Sequence, residues 1–515
     1  MSYLMGIDIG TSGTRTLLTD EAGTRVGSAT AEHPLSLPAP GWAEQNPADW
    51  VATAVETVRR VLAESGVPAS EVKGIGLSGQ MHGSVFLDAA DEVIRPALLW
   101  CDQRTGKQCD WITSKVGRET LKAEICNPVL TGFTAPKILW LRDKEPANFE
   151  RLRKVLLPKD YLRFVMTGEY VTEVSDASGM ALLNVPERRW SKVVLDKIGL
   201  SEDLLATVVE SPAVTGRVSA AFAAETGLAE GTPVVGGGGD QAAGAVGNGI
   251  VEPGVVSSTV GTSGVVFAHL DEPAPDPEMR THTFCHAVPG AWHVMGVMLA
   301  AGGSLQWYRN KLCSDEMAIA SLWEADPYTL IVSGAAQVPV GSEGLLFLPY
   351  LSGERTPYPN PNARGVFCGL SLRHDKRHLA RAVMEGVAYG LRDSFEIIEN
   401  MGVDITQVRA SGGGARSEYW VQLQADVTGR PHSYINVDEG PAFGVALLAG
   451  VGTGVWKTVP EACRAAIQVE RTLEPNAENL AFYNRGYLAY QSLYQRLEDA
   501  FDELAELVDL APCGD

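Results

Sequence analysis

The chain lacks most of the features that would place it quickly. No stretch of its 515 residues is long and apolar enough to span a bilayer. The opening, MSYLMGIDIGTSGTR, has a short apolar run broken at Asp8 and no basic leader, so neither a secretory signal nor a membrane partner is expected. The eight cysteines (Cys101, Cys109, Cys126, Cys285, Cys313, Cys368, Cys463 and Cys513) form no C-x-x-C pair, which argues against a zinc site. A chain this long buries a core without disulfide staples, so the cysteines read as reduced residues of a cytoplasmic protein. Basic residues are few: 42 Lys and Arg stand against 63 Asp and Glu, a net charge of −21. Nucleic acid is therefore not an expected partner, because phosphate backbones are held by clustered cations. A single nucleotide stays open, since backbone N–H groups and Mg²⁺ bind phosphate without entering a charge count. There is also no G-x-x-x-x-G-K-[ST] string, so any phosphate cradle must be built otherwise than as a P-loop.

What is present is ordinary globular composition, 45% apolar and 20% charged, in a chain too long for one core. Two or three domains are expected. Residues 3–8 read as a buried strand, GTSGT as a tight turn and RTLLTD as the returning strand. The tetrad Gly10-Thr11-Ser12-Gly13 recurs at Gly261-Thr262-Ser263-Gly264, 251 residues on (261 − 10), again between apolar runs, VVSSTV and VVFAHL. Two similar halves follow, each opening on a hairpin with a small, hydrogen-bonding tip. Between them, strand-like VKGIGLSG, SVFLD and PVVGGGG alternate with helical residues 47–65 and 240–248, the pattern of α/β domains. A boundary is expected near 250–255, at GIVEPG, and a terminal helix over roughly 477–509.

Several strings carry chemistry. Gly74-x-Gly76-x-x-Gly79 fits the dinucleotide fingerprint, yet GIGLSG reads as the strand itself with no helix opening after it, so no Rossmann site is expected. The hairpin tips suit phosphates, with close backbone approach at glycine and hydroxyls at Thr11, Ser12, Thr14 and Thr262. Arg15 serves either a phosphate or an exposed strand face. Asp8, flanked by Ile7 and Ile9, sits at the end of a buried strand, where a carboxylate needs a partner; a water-shelled Mg²⁺ is the natural one if a nucleotide binds. Val234 to Gly244 reads as strand, four glycines, then a helix beginning near Asp240. Asp240 is either an N-cap or a general base left accessible by the glycines. Gly412-Gly413-Gly414-Ala415-Arg416-Ser417 joins a strand to a helix, as a tight turn or as a seat for a base and ribose. His82, in Gln80-Met81-His82-Gly83, is a loop histidine, solvated or functional.

Taken together, MGIDIGTSGTR, LSGQMHG, LLWCDQRT, TGFTAPKILWL, LLPKDYLRFVMTGE, GGGGDQAAGAVG, GTSGVVF, FLPYLSGERTP and SGGGARSEYW resemble, in this order, the FGGY carbohydrate kinases and among them the xylulokinases, from about residue 4 to about residue 450. The resemblance implies an α/β, actin-like ATPase fold with two ribonuclease H-like domains flanking a deep cleft. An N-terminal domain, 1–250, would hold the sugar, the first phosphate hairpin and the base. A C-terminal domain, 251–515, would hold the second hairpin, the adenosine site and the last helix. The implied cofactors are ATP and Mg²⁺, and the implied substrate is D-xylulose, whose C5 hydroxyl gives its proton to Asp240 before attacking the γ-phosphate. Asp8 is expected near Mg²⁺, reaching the ion through its water, since the ion keeps much of its shell. Thr11, Ser12, Gly13, Thr14, Arg15, Gly261, Thr262 and Ser263 are expected around the phosphates, and Gly413, Gly414, Ala415 and Ser417 beside adenosine. Met81 and His82 match the family's sugar-contacting pair, and Asp240 and Gln241 are expected to bind the sugar with them, Gln241 standing where some xylulokinases have Asn. A kinase for another ketose or polyol, such as ribulose, or a catalytically silent sensor on the same scaffold, are the alternatives. A homodimer is compatible with the chain.

Overall fold

The computed structural model describes residues 2–510, and Cys513 lies outside them. The chain divides into two compact units. The first takes residues up to Glu252, His269–His293 and Glu439–Gln468; the second takes Pro253–Ala268, Val294–Asp438 and the chain from Val469 onward. A single boundary at 250–251 does not describe this division. The physical reason is the helix Gly440–Gly452, apolar on nearly every side, which can be buried only between other elements of the first unit.

The first unit is built on a mixed sheet in the order 214–217, 233–235, 72–79, 3–9, 13–20, 25–32, with the short strand Gly238–Gly239 added beside 72–79. Strand Tyr3–Ile9 lies antiparallel to Gly13–Asp20 and parallel to Val72–Gly79, so the fingerprint glycines 74, 76 and 79 are strand residues, as read. The helix Pro47–Ser65 covers one face. Asn46 accepts a hydrogen bond from the Ala48 amide, Pro47 occupies the first turn, and Gly66 closes the helix in the left-handed region at φ 65°. Its Trp50, Ala54, Val58 and Val61 are fully buried with Met5, Ile7 and Leu77 in the core. The apolar helix Gly440–Gly452 packs against strands 3–9 and 72–79 and against the helix Asp240–Gly247. It comes so close that a Cβ on Gly76 would lie 2.0 Å from the Val445 carbonyl oxygen.

The second unit repeats the plan. Its sheet runs 292–298, 264–270, 255–260, 407–411, 432–435, 469–473. Val255–Val260 is antiparallel to Gly264–Leu270 and parallel to Gln407–Ser411, the relations that Tyr3–Ile9 has to its own neighbours. The repeated tetrad thus marks a duplicated ribonuclease H-like sheet, and the actin-like architecture is the one present. The last helix, Ala477–Leu510, buries Tyr483, Tyr487, Tyr490 and Tyr494. No helix among the described residues is long and apolar enough to cross a membrane.

Candidate active site

Three parallel strand ends in the first unit meet at one edge of the sheet. The register sets Asp8 beside Ser78 and Ser78 beside Gly238, then Ile9 beside Gly79 and Gly79 beside Gly239. Each strand then delivers a different string: Gly10-Thr11-Ser12, Gln80-Met81-His82 and Asp240-Gln241. The carboxyl ends of parallel strands are where open α/β sheets take ligands, because the chain leaves the ladder there and its side chains turn outward.

Asp240 is the first residue of the helix Asp240–Gly247, whose N-cap is Gly239; its side chain caps nothing. Of the two readings the sequence allowed, the N-cap is therefore not the one adopted. The half-buried carboxylate accepts from the side chain of Gln241, Nε2 at 3.3 Å, and from the Gln241 backbone amide, and has no ion-pair partner among the described residues. Burial, followed by the negative charge of Asp8, pushes it from 3.8 up to about 7. Asp8 is raised to about 6, by burial against the opposing help of Ser78 and Arg15. One of its oxygens, Oδ1, is buried without a hydrogen-bond partner. Such an oxygen fits a cation or a cation's water. Among the described residues no group of three or more His, Cys, Asp or Glu gathers to hold a metal, so an ion here would bring most of its ligands with it, as Mg²⁺ on a polyphosphate does.

The glycines before Asp240 serve packing as much as access. Gly237 has φ 72°, and a Cβ on it would lie 1.9 Å from the Leu77 carbonyl oxygen. A Cβ on Gly239 would meet Met81 Cγ at 3.0 Å, which places buried Met81 directly behind the acid. The run is gripped from beneath: Arg163 donates to the carbonyls of Val235, at 3.2 Å, and Gly236, at 2.6 Å, and the Gly239 amide donates to Ser175 Oγ at 3.1 Å. Arg163 is fully buried with Lys159, Asp160, Glu173 and Asp176, and the Lys159 ammonium lies 2.8 Å from Asp160 and 3.1 Å from Asp176. These charges, in the string LLPKDYLRF, carry no role in the sequence reading; Asp160 and Arg163 lie within one helical turn, but the carbonyls that Arg163 grips are 72 and 73 residues further on.

The first hairpin keeps only part of its expected set at the tip. Thr11 joins a polar chain: Gln80 Nε2 donates to Gln45 Oε1 at 2.8 Å, Gln45 Nε2 to the Thr11 carbonyl at 2.7 Å, and Trp100 Nε1 to Thr11 Oγ1 at 2.9 Å. Ser12 is exposed and Gly13 begins the return strand. Thr14 and Arg15 are turned elsewhere, which corrects the expectation that they meet phosphate in this conformation. Strand alternation sends Thr14 to the helix face, where its hydroxyl lies 2.8 Å from Thr53 Oγ1, and sends Arg15 to the other face, where it pairs with Glu439 and Ser28. His82 is half-buried, its Nδ1 2.7 Å from the Gly179 carbonyl and its ring stacked on Phe133 at 4.7 Å.

In the second unit the other expected strings share one cavity of about 530 Å³. Gly261, Thr262, Gly413, Gly414 and Ser417 line it, whereas Ser263 and Ala415 do not. Ser263 closes the hairpin by accepting from the Gly261 amide at 2.9 Å, and the Ala415 amide closes the 413–416 turn on the Gly412 carbonyl at 3.1 Å. Ser417 also caps the helix Glu418–Thr428, accepting from the Trp420 amide. Sequence reading missed the opposite wall, formed by Gly302, Gly303, Gln306, Tyr328, Thr329 and Ser333. The amides of Gly302 and Gly303 donate to the carbonyls of Gly261 and Thr262 at 2.8 and 3.0 Å, tying this wall to the hairpin tip. The pair Gly302-Gly303 before a helical run was the available signal.

Comparison with known proteins bears on the family of the chain. Residues 3–247 match the N-terminal domain, and residues 256–453 the C-terminal domain, of the FGGY family of carbohydrate kinases. The chain is 40% identical over 494 residues to a xylulose kinase of Escherichia coli (strain K12), covering 96% of this chain and 99% of that one. It is 38% identical over 499 residues to a xylulose kinase of Bacillus subtilis (strain 168), covering 97% and 98%. Among solved structures it is similar to a xyloylose kinase from Brucella ovis, at 40% identity and a TM-score of 0.89 over 97% of this chain and all of that one. The duplicated sheet, the strand-end acid and these matches place the chain in the FGGY family of carbohydrate kinases.

Proposed function

We propose that the chain transfers the γ-phosphate of ATP to the C5 hydroxyl of D-xylulose, giving D-xylulose 5-phosphate and ADP. The observation that carries this is Asp240: a carboxylate at the strand ends, free of ion pairs and lifted to about 7, poised to take a proton near neutral pH. The sugar oxygen loses its proton to Asp240 and forms the new O–P bond as the bond from phosphorus to the bridging oxygen of ADP breaks. Asp8, with its unmatched buried oxygen, would face a Mg²⁺ through that ion's water. The ion would offset charge on the transferring group. The tip residues Thr11, Ser12 and Gly13 serve the phosphates. The 530 Å³ cavity takes adenosine, between the turn at Gly413-Gly414 and the wall at Tyr328. Met81 and His82 meet the sugar, and Gln241 holds Asp240 in place through its amide. The remainder of the catalysis is positioning and electrostatics.

The choice of xylulose is supported by what the Escherichia coli and Bacillus subtilis relatives are named for and by the QMH string at the strand end. The test is a coupled ADP-release assay with D-xylulose, D-ribulose and glycerol, with and without Mg²⁺. D-xylulose should give the highest kcat/KM. A preference of about tenfold for another of the three would overturn the substrate and keep the reaction.

A further inference from the structure

The string TGFTAPKILWL is so far without a role, and its lysine is in an unusual position. Lys137 is fully buried in the helix Thr134–Lys144, and no carboxylate lies within ion-pair distance of its ammonium among the described residues. Its Nζ instead donates to two backbone carbonyls, that of His82 at 2.9 Å and that of Gly132 at 2.7 Å. Burial pushes this amine down to about 7, against the opposing charge of Asp102, so a lysine here gives up much of its charge and is kept for the two hydrogen bonds it donates.

What it holds is a residue in an uncommon backbone conformation. His82 has φ 68°, in the left-handed region that few residues other than glycine adopt, Asn, Asp and His most often among them. Four of its contacts bear on that conformation. Lys137 Nζ and Thr134 Oγ1, at 3.1 Å, both donate to its carbonyl; Phe133 stacks on its ring; and the Gly179 carbonyl takes its Nδ1 at 2.7 Å. Three of the four come from consecutive turns of one string, Phe133, Thr134 and Lys137. The fourth requires a glycine, since a Cβ on Gly179 would fall 2.2 Å from His82 Nδ1. With Nδ1 bonded to a carbonyl, the neutral ring carries its proton there, and Nε2 is the accepting nitrogen.

We infer that Lys137 is a positioning residue for sugar recognition: by holding the His82 carbonyl it fixes the left-handed turn and presents the imidazole in a single tautomer to a hydroxyl of the substrate. This rests on the reading that His82 meets the sugar. A histidine locked as an acceptor rewards a hydroxyl at one place and orientation, so the cradle sets discrimination among ketoses and leaves the nucleotide side alone.

The test uses Lys137→Met and the milder Thr134→Val, in the full chain, with ¹⁵N spectra of the imidazoles and steady-state kinetics. Lys137→Met should replace the Nδ1-protonated signature of His82 with a tautomer mixture. It should also raise KM for D-xylulose by about tenfold, narrow the preference over D-ribulose, and leave KM for ATP within about twofold. Thr134→Val should move the same quantities by about threefold. An unchanged His82 signature in Lys137→Met, or equal losses toward sugar and ATP, overturns the inference. If Lys137→Met does not fold, an unchanged sugar KM in Thr134→Val overturns it instead. A His82→Ala variant separates the two readings: an altered ring in Lys137→Met with no change of sugar KM in His82→Ala sinks the sugar contact and leaves the cradle standing.

Discussion

Asp240→Asn should abolish phosphoryl transfer and stabilise the ligand-free protein, and the second effect tests the electrostatics of the site independently of the first. Folding moves the Asp240 carboxyl from 3.8 to about 7, mainly by burial and secondly by Asp8, so the charged form is worse off folded than unfolded. For a group raised in this way the folded state is favoured most below about pH 4, and that advantage is lost as pH rises through about 7. Were the whole displacement counted, ionised Asp240 would oppose folding by ~4 kcal/mol above neutrality. The side chain is half-buried and partly screened, which reduces the term to ~1–2 kcal/mol. An isosteric amide escapes it. Thermal melts without nucleotide or Mg²⁺ should therefore show Asp240→Asn above the parent by ~1–3 °C at pH 8, with the gap closing toward pH 4. Turnover should fall by about 10²–10⁴, the range for a lost general base. In the parent, kcat/KM should decline as pH falls below about 7, when Asp240 takes up a proton. A lower or equal Tm at pH 8, or a gain that persists at pH 4, would refute the account of the charge, and turnover within about tenfold of the parent would remove Asp240 from the chemistry.

Three further outcomes follow from the geometry. Asp8→Asn removes the charge that, after burial, raises Asp240; the acid limb of kcat/KM should shift to lower pH while half-saturation by Mg²⁺ rises, as a metal titration of the assay would show, with a cooperative melt retained. Gly302→Ala places a Cβ 2.4 Å from the Gly261 carbonyl oxygen and should weaken ADP binding at least about tenfold in calorimetry, at ~1–3 kcal/mol of overpacking, with sugar binding unaffected. Arg163→Met releases the carbonyls of Val235 and Gly236 and leaves Asp160 short of a cation, so urea denaturation should show a loss of ~3–5 kcal/mol. Equal midpoints would mean that the buried charges do not hold the glycine run.

Much of the framework is legible locally because it rests on backbone sterics and short-range pattern. The helix 47–65 is bounded by an Asn-Pro start and a glycine stop, and the strand, glycine run and helix at 233–247 follow from the same punctuation. The offset between tetrads places Val255–Val260 on Tyr3–Ile9 and Gly264–Leu270 on Gly13–Asp20, so the duplication is a property of the primary structure. The identity of the candidate acid, its glycine approach and most of the cavity's Gly-rich edge belong to the same legible class.

What the residues do once in place depends on partners the chain order hides. Thr14 and Arg15 differ by one position, yet alternation sends one into the helix face and the other to Glu439, 424 residues away. The glycines before Asp240 read as open space and prove to be points of contact with Leu77 and Met81. The apolar run 440–452 drew no reading from the sequence; that it is a helix, and that it returns to the first unit, is decided by which sheet can bury it. Local conformation is set by the dihedral preferences of neighbours along the chain. The charge state of Asp240, the anchoring of His82 and the far wall of the cavity are set by desolvation and by neighbours in space, and those exist only in the folded molecule.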